Sequence, residues 1–282
     1  MRAHWLLIGI LGLVFTAPLG TAAQKAGNPS RKAAATTIKV LIVMDERPQM
    51  EILARYFQEH GNIESEMVDQ KALPENWSGY TAVVGYIHGR LEEKTELKII
   101  DYTRSGGRLV CLHHMISSGK LKNKYYFDFL GVRMAGIEQS RQPADPGGHY
   151  AWRERIGQAI VNINPRHYIT SHSVQWPEKT VFSSSGGNAA KKQYPSLTLE
   201  DSEVYMNVPF TDGKEKVLLL GYQYLDDRNR VQHQEATAGW VKTSGKGRIV
   251  YIQMGHTAHE YQNQAVAQMV LNAVTWRPKS WT

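Results

Sequence analysis

The stretch GRLVCLHH, residues 107–114, is an apolar run that ends in two imidazoles, and it organises the reading of its neighbours. A run without polar alternation is the pattern of a strand covered on both faces, as in a parallel sheet. Before it stands LEEKTELKIIDYTRSGG, residues 91–107, a helix with a glycine exit. Before that stands YTAVVGYI, residues 80–87, another buried strand. Further upstream, IKVLIVMD (38–45) is a strand, and QMEILARYFQEH (49–60) sets Met50, Leu53, Ala54 and Phe57 on one helical stripe stopped by Gly61. ESEMVD (64–69) supplies one more strand. Strands alternating with crossover helices demand parallel pairing, because parallel neighbours are joined only by long right-handed connections. The predicted class is therefore α/β, with a doubly wound, mostly parallel sheet.

Downstream the pattern loosens. Residues 131–215 hold strand-like pieces at 156–163, 179–183 and 203–206 between Pro, Gly, Asn and Ser clusters, and read as an elaborated layer carrying loops. KVLLLGYQ (216–223) and GRIVYIQM (247–254) return as strands, and NQAVAQMVLNAVTW (263–276) is a terminal helix docking on the sheet. No solenoid repeat and no glycine-rich phosphate loop occurs, so nucleotide binding has no support.

The 282 residues are 42% hydrophobic and 21% charged, an ordinary globular balance. Formal charge is +7, but Arg2, Lys25, Arg31 and Lys32 precede residue 36, leaving 29 basic against 26 acidic side chains beyond it. That balance argues against a nucleic-acid partner. The single cysteine, Cys111, has no partner for an intramolecular disulfide, so stability must come from burial. Arg2, the apolar stretch Leu6 to Leu19 and small residues through Ala23 have the layout of a secretory signal peptide. The apolar stretch is shorter than the roughly 20 residues a membrane span needs, which disfavours an uncleaved anchor. The expected organisation is a signal peptide at 1–23, a flexible tether at 24–36 and one domain at 37–278. The mature chain is expected to be exported, periplasmic or secreted, without a membrane span.

Ligands of open parallel sheets bind beyond the carboxyl ends of the strands. Those ends carry Asp45 and Arg47, then Tyr86 and His88, then His113 and His114, and finally Gly255, His256 and Thr257. Imidazoles there suit proton transfer or metal ligation. Alternation along a strand predicts that only one of His113 and His114 faces a given cleft, and His113 is the choice. Gly255 permits the sharp turn that presents His256, and His259 shares its face if a helix begins there. In the irregular region His149, His167, His172, Asp201 and Glu203 are further polar candidates, with Glu203 a possible general base or ligand. Neither H-x-H nor H-E-x-x-H occurs, so a divalent metal would need donors from distant segments, with His113, His256 and Glu203 as the candidates. Cys111 lies mid-strand between Val110 and Leu112 and reads as an inert core thiol.

Four segments together resemble the ThuA-like trehalose-utilisation family: SGGRLVCLHHMISS (105–118), NPRHYIT (164–170), EDSEVYMNV (200–208) and GWVKTSGKGRIVYIQMGHT (239–257). The resemblance runs over residues 37 to 278. It implies a flavodoxin-like or class I glutamine amidotransferase-like sheet. It places the family's strand-end histidine at His113, its histidine-proline-isoleucine-threonine at His167 through Thr170, its aspartate-glutamate at Ser202 and Glu203, and its glycine-histidine at Gly255 and His256. Tyr168 stands where the proline is usual and Ser202 where the aspartate is, and ERPQM after the first strand lacks a histidine often found there. The implied function is action on sugars, through cleavage of 3-keto-glycosides by His and Glu acid-base chemistry, metal-assisted or not. His113, His256 and Glu203 are then catalytic, and Asp45, Tyr86, His88, His149 and His167 bind a small carbohydrate. The alternative is a non-catalytic carbohydrate-binding protein, in which tryptophans and tyrosines stack on sugar faces.

Overall fold

In the computed structural model the described residues are 37–142, 147–183, 192–213 and 215–278, and the expected signal peptide and tether lie outside them. The chain runs β1 (Ile38–Met44), α1 (Arg47–Gly61), β2 (Ile63–Val68), β3 (Ala82–Tyr86), α2 (Glu93–Arg104), β4 (Arg108–Leu112), α3 (Tyr126–Leu130) and α4 (Ile137–Ser140). There follow β5 (Ala151–Asn162), α5 (Tyr168–Ser171), β6 (Glu178–Phe182), β7 (Lys192–Met206), β8 (Val217–Leu225), β9 (Val231–Ser244), β10 (Gly247–Ile252) and α6 (Gln264–Thr275).

All ten strands join one sheet in the order β2-β1-β3-β4-β10-β9-β8-β5-β7-β6. The half from β2 to β10 is parallel and covered on both faces. Met50, Leu53 and Phe57 of α1 and Val266, Met269 and Val270 of α6 pack on one side. Ile99 and Ile100 of α2 and Phe129 and Leu130 of α3 pack on the other. This two-sided burial is why β1, β3 and β4 read as continuous apolar runs.

The expectation of a mostly parallel sheet holds for this half alone. From β10 onward every pairing is antiparallel. Residues expected to form a separate layer extend the same sheet instead. The strands there are long, 12, 15 and 14 residues for β5, β7 and β9, and bulges break their hydrophobic period.

One bulge decides where the chemistry goes. Asp201 adopts a left-handed backbone (φ 48°) within β7, and Arg155 (φ 57°) does so opposite in β5. Before Asp201 the odd residues Leu197 and Leu199 enter the α1/α6 core, whereas after it the even residues Val204 and Met206 do. The extra residue inverts the parity of the strand, so Glu203 and Tyr205 turn to the opposite face. Aspartate tolerates this backbone better than most residues. Asp201→Gly should fold normally, whereas Asp201→Val should lose about 1–2 kcal/mol, the cost of a left-handed residue with a crowded Cβ. Urea denaturation of both variants checks this, and equal stability would show that the bulge tolerates any residue.

Candidate functional site

Strand β4 ends at Leu112, and His113 opens a 3₁₀ turn with φ 39°. Alternation therefore stops one residue before the imidazole pair, and it is His114, not the expected His113, that lines the cavity at this edge. Both rings approach Glu203. His113 and His114 lie with centroids 4.3 Å apart, and both are buried. His256 arrives from the loop after β10, where Gly255 has φ 118°.

Three groups converge on one carboxylate oxygen. His113 Nε2 is 2.7 Å and His256 Nδ1 2.9 Å from Glu203 Oε2, and the two nitrogens are 3.3 Å apart. The Tyr205 hydroxyl lies 3.4 Å from the same oxygen and 3.0 Å from His114 Nδ1. Hydrogen-bond partners assign the tautomers. His113 Nδ1 donates to the Gln253 carbonyl at 2.5 Å, which leaves Nε2 with a lone pair toward an anion unless a proton or a cation stands between them. Burial keeps the Tyr205 phenol protonated, so its hydroxyl donates to His114 Nδ1 as its nearest acceptor. Burial also pushes His114 far below the usual imidazole range, and it stays neutral.

Burial opposes the charge of Glu203, but hydrogen bonds from His113 and His256 reverse that effect and hold its carboxyl down at about 2. Such a carboxylate is an anion at neutral pH and a poor proton acceptor. This changes the general-base role expected of Glu203 to that of an electrostatic anchor or ligand. The hydrogen bond to Glu203 raises His256 in turn.

The donor set also fits a divalent metal. His113, His114, Glu203 and His256 each offer one atom within 4.8 Å of the others. His113 Nε2, Glu203 Oε2 and His256 Nδ1 are the three that would hold the ion, since Tyr205 already occupies His114 Nδ1. The His113 bond to a backbone carbonyl is the outer support that metal-ligating histidines usually have.

Glu203, His256 and His114 line a cavity of about 260 Å³, with His113 buried behind them, and its walls include His88, Arg141, Trp152, Glu154 and Tyr205. A larger hollow of about 720 Å³ beside α2 gathers neither histidine nor glutamate. Of the residues expected to bind substrate, His88 lines the site cavity, and the others act elsewhere. Asp45 is a loop brace, its carboxylate accepting from the backbone N–H groups of His88 and Gly89. Tyr86 is buried and donates to the Gly255 carbonyl at 2.7 Å. His167 caps α5, accepting from the Ile169 N–H, and lies against Trp276. His149 meets the region through its backbone, its carbonyl accepting from Asn207. Asp201 acts through the bulge, and His172 stacks on Tyr168. A 3₁₀ helix does begin at Ala258, but His259 bonds Thr257 at the surface. Cys111 is fully buried, and burial raises its thiol to about 12.

Sequence reading missed Glu46, Tyr205, Gln253 and Glu260. Tyr205 had a signal, since it stands two residues from Glu203 on one strand face. Glu260 is fully buried and accepts from Gly255 N–H at 2.6 Å and from Ser202 Oγ at 2.8 Å. This explains Ser202: an aspartate there would face a second buried carboxylate. A Cβ on Gly255 would lie 2.0 Å from the Tyr261 hydroxyl. Gly255→Ala should therefore lower stability by about 1–3 kcal/mol. It should also displace His256, read as a lowered melting temperature together with a shifted His256 imidazole resonance. An unmoved resonance would show that the loop does not depend on this glycine.

The family model described as ThuA, trehalose utilisation, matches residues 39–277. Among solved structures, one described as ThuA-like from Bacteroides uniformis superposes with a TM-score of 0.57 at 16% identity, covering 88% of this chain and 94% of that one. A cytoplasmic protein from Salmonella typhimurium LT2 superposes at 0.50 with 15% identity, over 84% and 98%. A glutamine amidotransferase from Thermotoga maritima gives 0.43 at 11% identity, over 84% and 96%. No curated protein matches the chain. At these identities the first two superpositions speak for the fold alone, and the match over residues 39–277 places the chain in the ThuA trehalose-utilisation family.

Proposed function

We propose that this protein cleaves keto-glycosides by elimination, with the His113–Glu203–His256 cluster as the centre that binds and polarises the keto group. The observation that carries the reading is the convergence of two imidazole nitrogens on one buried carboxylate oxygen at the floor of a cavity. A half-buried Trp152 beside Arg141 and Glu154 on the walls offers an aromatic face and polar partners of the kind a sugar ring requires.

The chemistry follows from the carbonyl. A keto group at C3 acidifies the proton on C2. When a base removes that proton, the C–H electrons pass through the enolate and form the C1–C2 double bond. The C1–O bond breaks, and the departing oxygen takes up a proton. Groups that stabilise negative charge on the keto oxygen lower the barrier, and removing one such group typically costs about 10²–10³ in rate. A divalent cation held by His113, Glu203 and His256 would supply Lewis-acid polarisation of that oxygen. The ionised Glu203 keeps both imidazoles oriented, and the buried Tyr205 and His114 keep water from the inner side of the cluster.

Incubation with a 3-keto-glycoside and with its unoxidised parent tests the proposal. Release of the leaving alcohol is expected from the keto compound alone, and His113→Asn and Glu203→Gln should each slow it by about 10²-fold or more. Stabilisation by sugars without any cleavage would overturn the enzyme reading in favour of a carbohydrate-binding protein.

We also propose export, on the layout of residues 1–23. N-terminal sequencing of the protein recovered from its native host should begin close to Ala23. Recovery of the intact N-terminus would refute processing.

A further inference from the structure

With a cation held by its inner donors, the cluster would polarise a carbonyl but would present no imidazole lone pair to the cavity. Glu203 Oε2 is occupied by two rings, and His113 is fully buried behind the cavity wall. His114 has its Nδ1 engaged by Tyr205. Were a cation held on the inward Nδ1 of His256, its outer nitrogen would carry the hydrogen, and this ring is in any case only 25% exposed. The elimination still requires a group that removes a proton from carbon.

We propose that His88 is that group, a catalytic residue that takes the proton from the carbon beside the keto group and returns it to the departing oxygen, with Glu46 as its positioning residue. This rests on the reading of the cluster given above. His88 lines the same cavity, and its side chain is 62% exposed, against 25% for His256. Its Nδ1 is 3.2 Å from Glu46 Oε1. With Nδ1–H donating to that carboxylate, the lone pair is on Nε2. The second oxygen of Glu46 lies 4.0 Å from His114 Nε2, so one carboxylate stands beside both rings. His88 also stacks on His114 with centroids 4.1 Å apart and planes at 13°. The hydrogen bond to Glu46 raises the basicity of His88 despite partial burial.

The backbone at His88 is held more firmly than an exposed side chain needs for its own sake. Asp45 accepts from the His88 N–H at 2.9 Å with both oxygens. The His88 carbonyl accepts from Ser117 Oγ and from Lys120 Nζ, each at 3.0 Å. Lys120 is fully buried without an ion pair among the described residues, and its amine also donates to the carbonyls of Ile87 and of His114, the latter at 2.6 Å. A buried amine thus ties the peptide that carries His88 to the turn that carries His114. A carboxylate, a hydroxyl and a lysine together fix the origin of this one imidazole.

The proton balance closes without a co-reactant. Nε2 of His88 accepts the C2 proton, the electron pair moves through the enolate to expel the C1 oxygen, and the proton now on Nε2 passes to that oxygen. The imidazole ends as it began.

The test uses the whole protein, a 3-keto-glycoside, free imidazole, and zinc alone as a probe of the cluster. His88→Ala should slow cleavage by about 10²–10⁴-fold, the usual contribution of a positioned acid-base group. Zinc affinity by calorimetry should stay within about twofold, and millimolar imidazole should restore part of the rate by filling the space left above His114. Glu46→Gln should lower kcat by about tenfold with little change in KM. Cleavage by His88→Ala at the wild-type rate overturns the proposal and leaves the cluster reading intact. Loss of rate that imidazole does not restore, accompanied by loss of zinc affinity, also overturns it, because His88 would then only support the fold. A wild-type protein that neither cleaves the keto compound nor binds zinc overturns the cluster reading and this proposal together.

Discussion

A carboxylate withdrawn from water must have its charge answered by groups already in place, and Glu203 is answered from two strands at once. His113 comes from the end of β4 and His256 from the loop after β10, whereas Glu203 belongs to β7. Breaking one partner of such a buried pair typically costs about 3–5 kcal/mol, because the remaining charge is left uncompensated. Between β10 and β7 stand β9, β8 and β5, so a flat sheet would separate them by about 19 Å at about 4.8 Å per strand. Twist of about 20–25° per strand accumulates to nearly a right angle over those four steps, and the Gly255 loop reaches across the rest. The curvature of the antiparallel half and the charge on Glu203 therefore depend on one another.

That dependence explains the division of labour between the halves of the sheet. The parallel half is sealed by helices on both faces and delivers imidazoles at its carboxyl edge, where loops converge. The antiparallel half contributes the carboxylate, the tyrosine and the tryptophan. Neither half holds a complete set. The bulge at Asp201 is the local device that makes them meet, since without its change of parity Glu203 would point into the α1/α6 core, where a lone carboxylate would have no partner.

What could be read in the residues follows from the same physics. The apolar runs of β1, β3 and β4 announce a parallel sheet because burial on both faces leaves no polar alternation to misread. His113 and His256 were visible because strand ends are where a parallel sheet puts its ligands, and Glu203 because it is a carboxylate of the irregular region that the family resemblance aligns with an acidic position. The antiparallel extension was not visible, because bulges at Arg155 and Asp201 reset the period of β5 and β7. His114 was assigned away from the cleft by an alternation rule that stops applying at Leu112. Glu46 had no signal of its own. It stands between a strand and a helix, and its partner His88 is 42 residues away, so only the tertiary fold makes the pair.

The buried polar groups that surround the site share a pattern that bears on its rigidity. Glu260 ties Gly255 to Ser202, Lys120 ties the carbonyls of Ile87, His88 and His114, and Gln253 holds His113 Nδ1 through its carbonyl. Each links a strand-end loop to a neighbouring element through a bond that water cannot replace once the core has closed. Unpaired polar groups in such a place are costly, so the network is stable only when every member is present. A chain with one cysteine has no covalent staple with which to hold these loops. Hydrogen bonds made inside the core take that role, and they do so at the edge where catalytic geometry must be held to within fractions of an ångström.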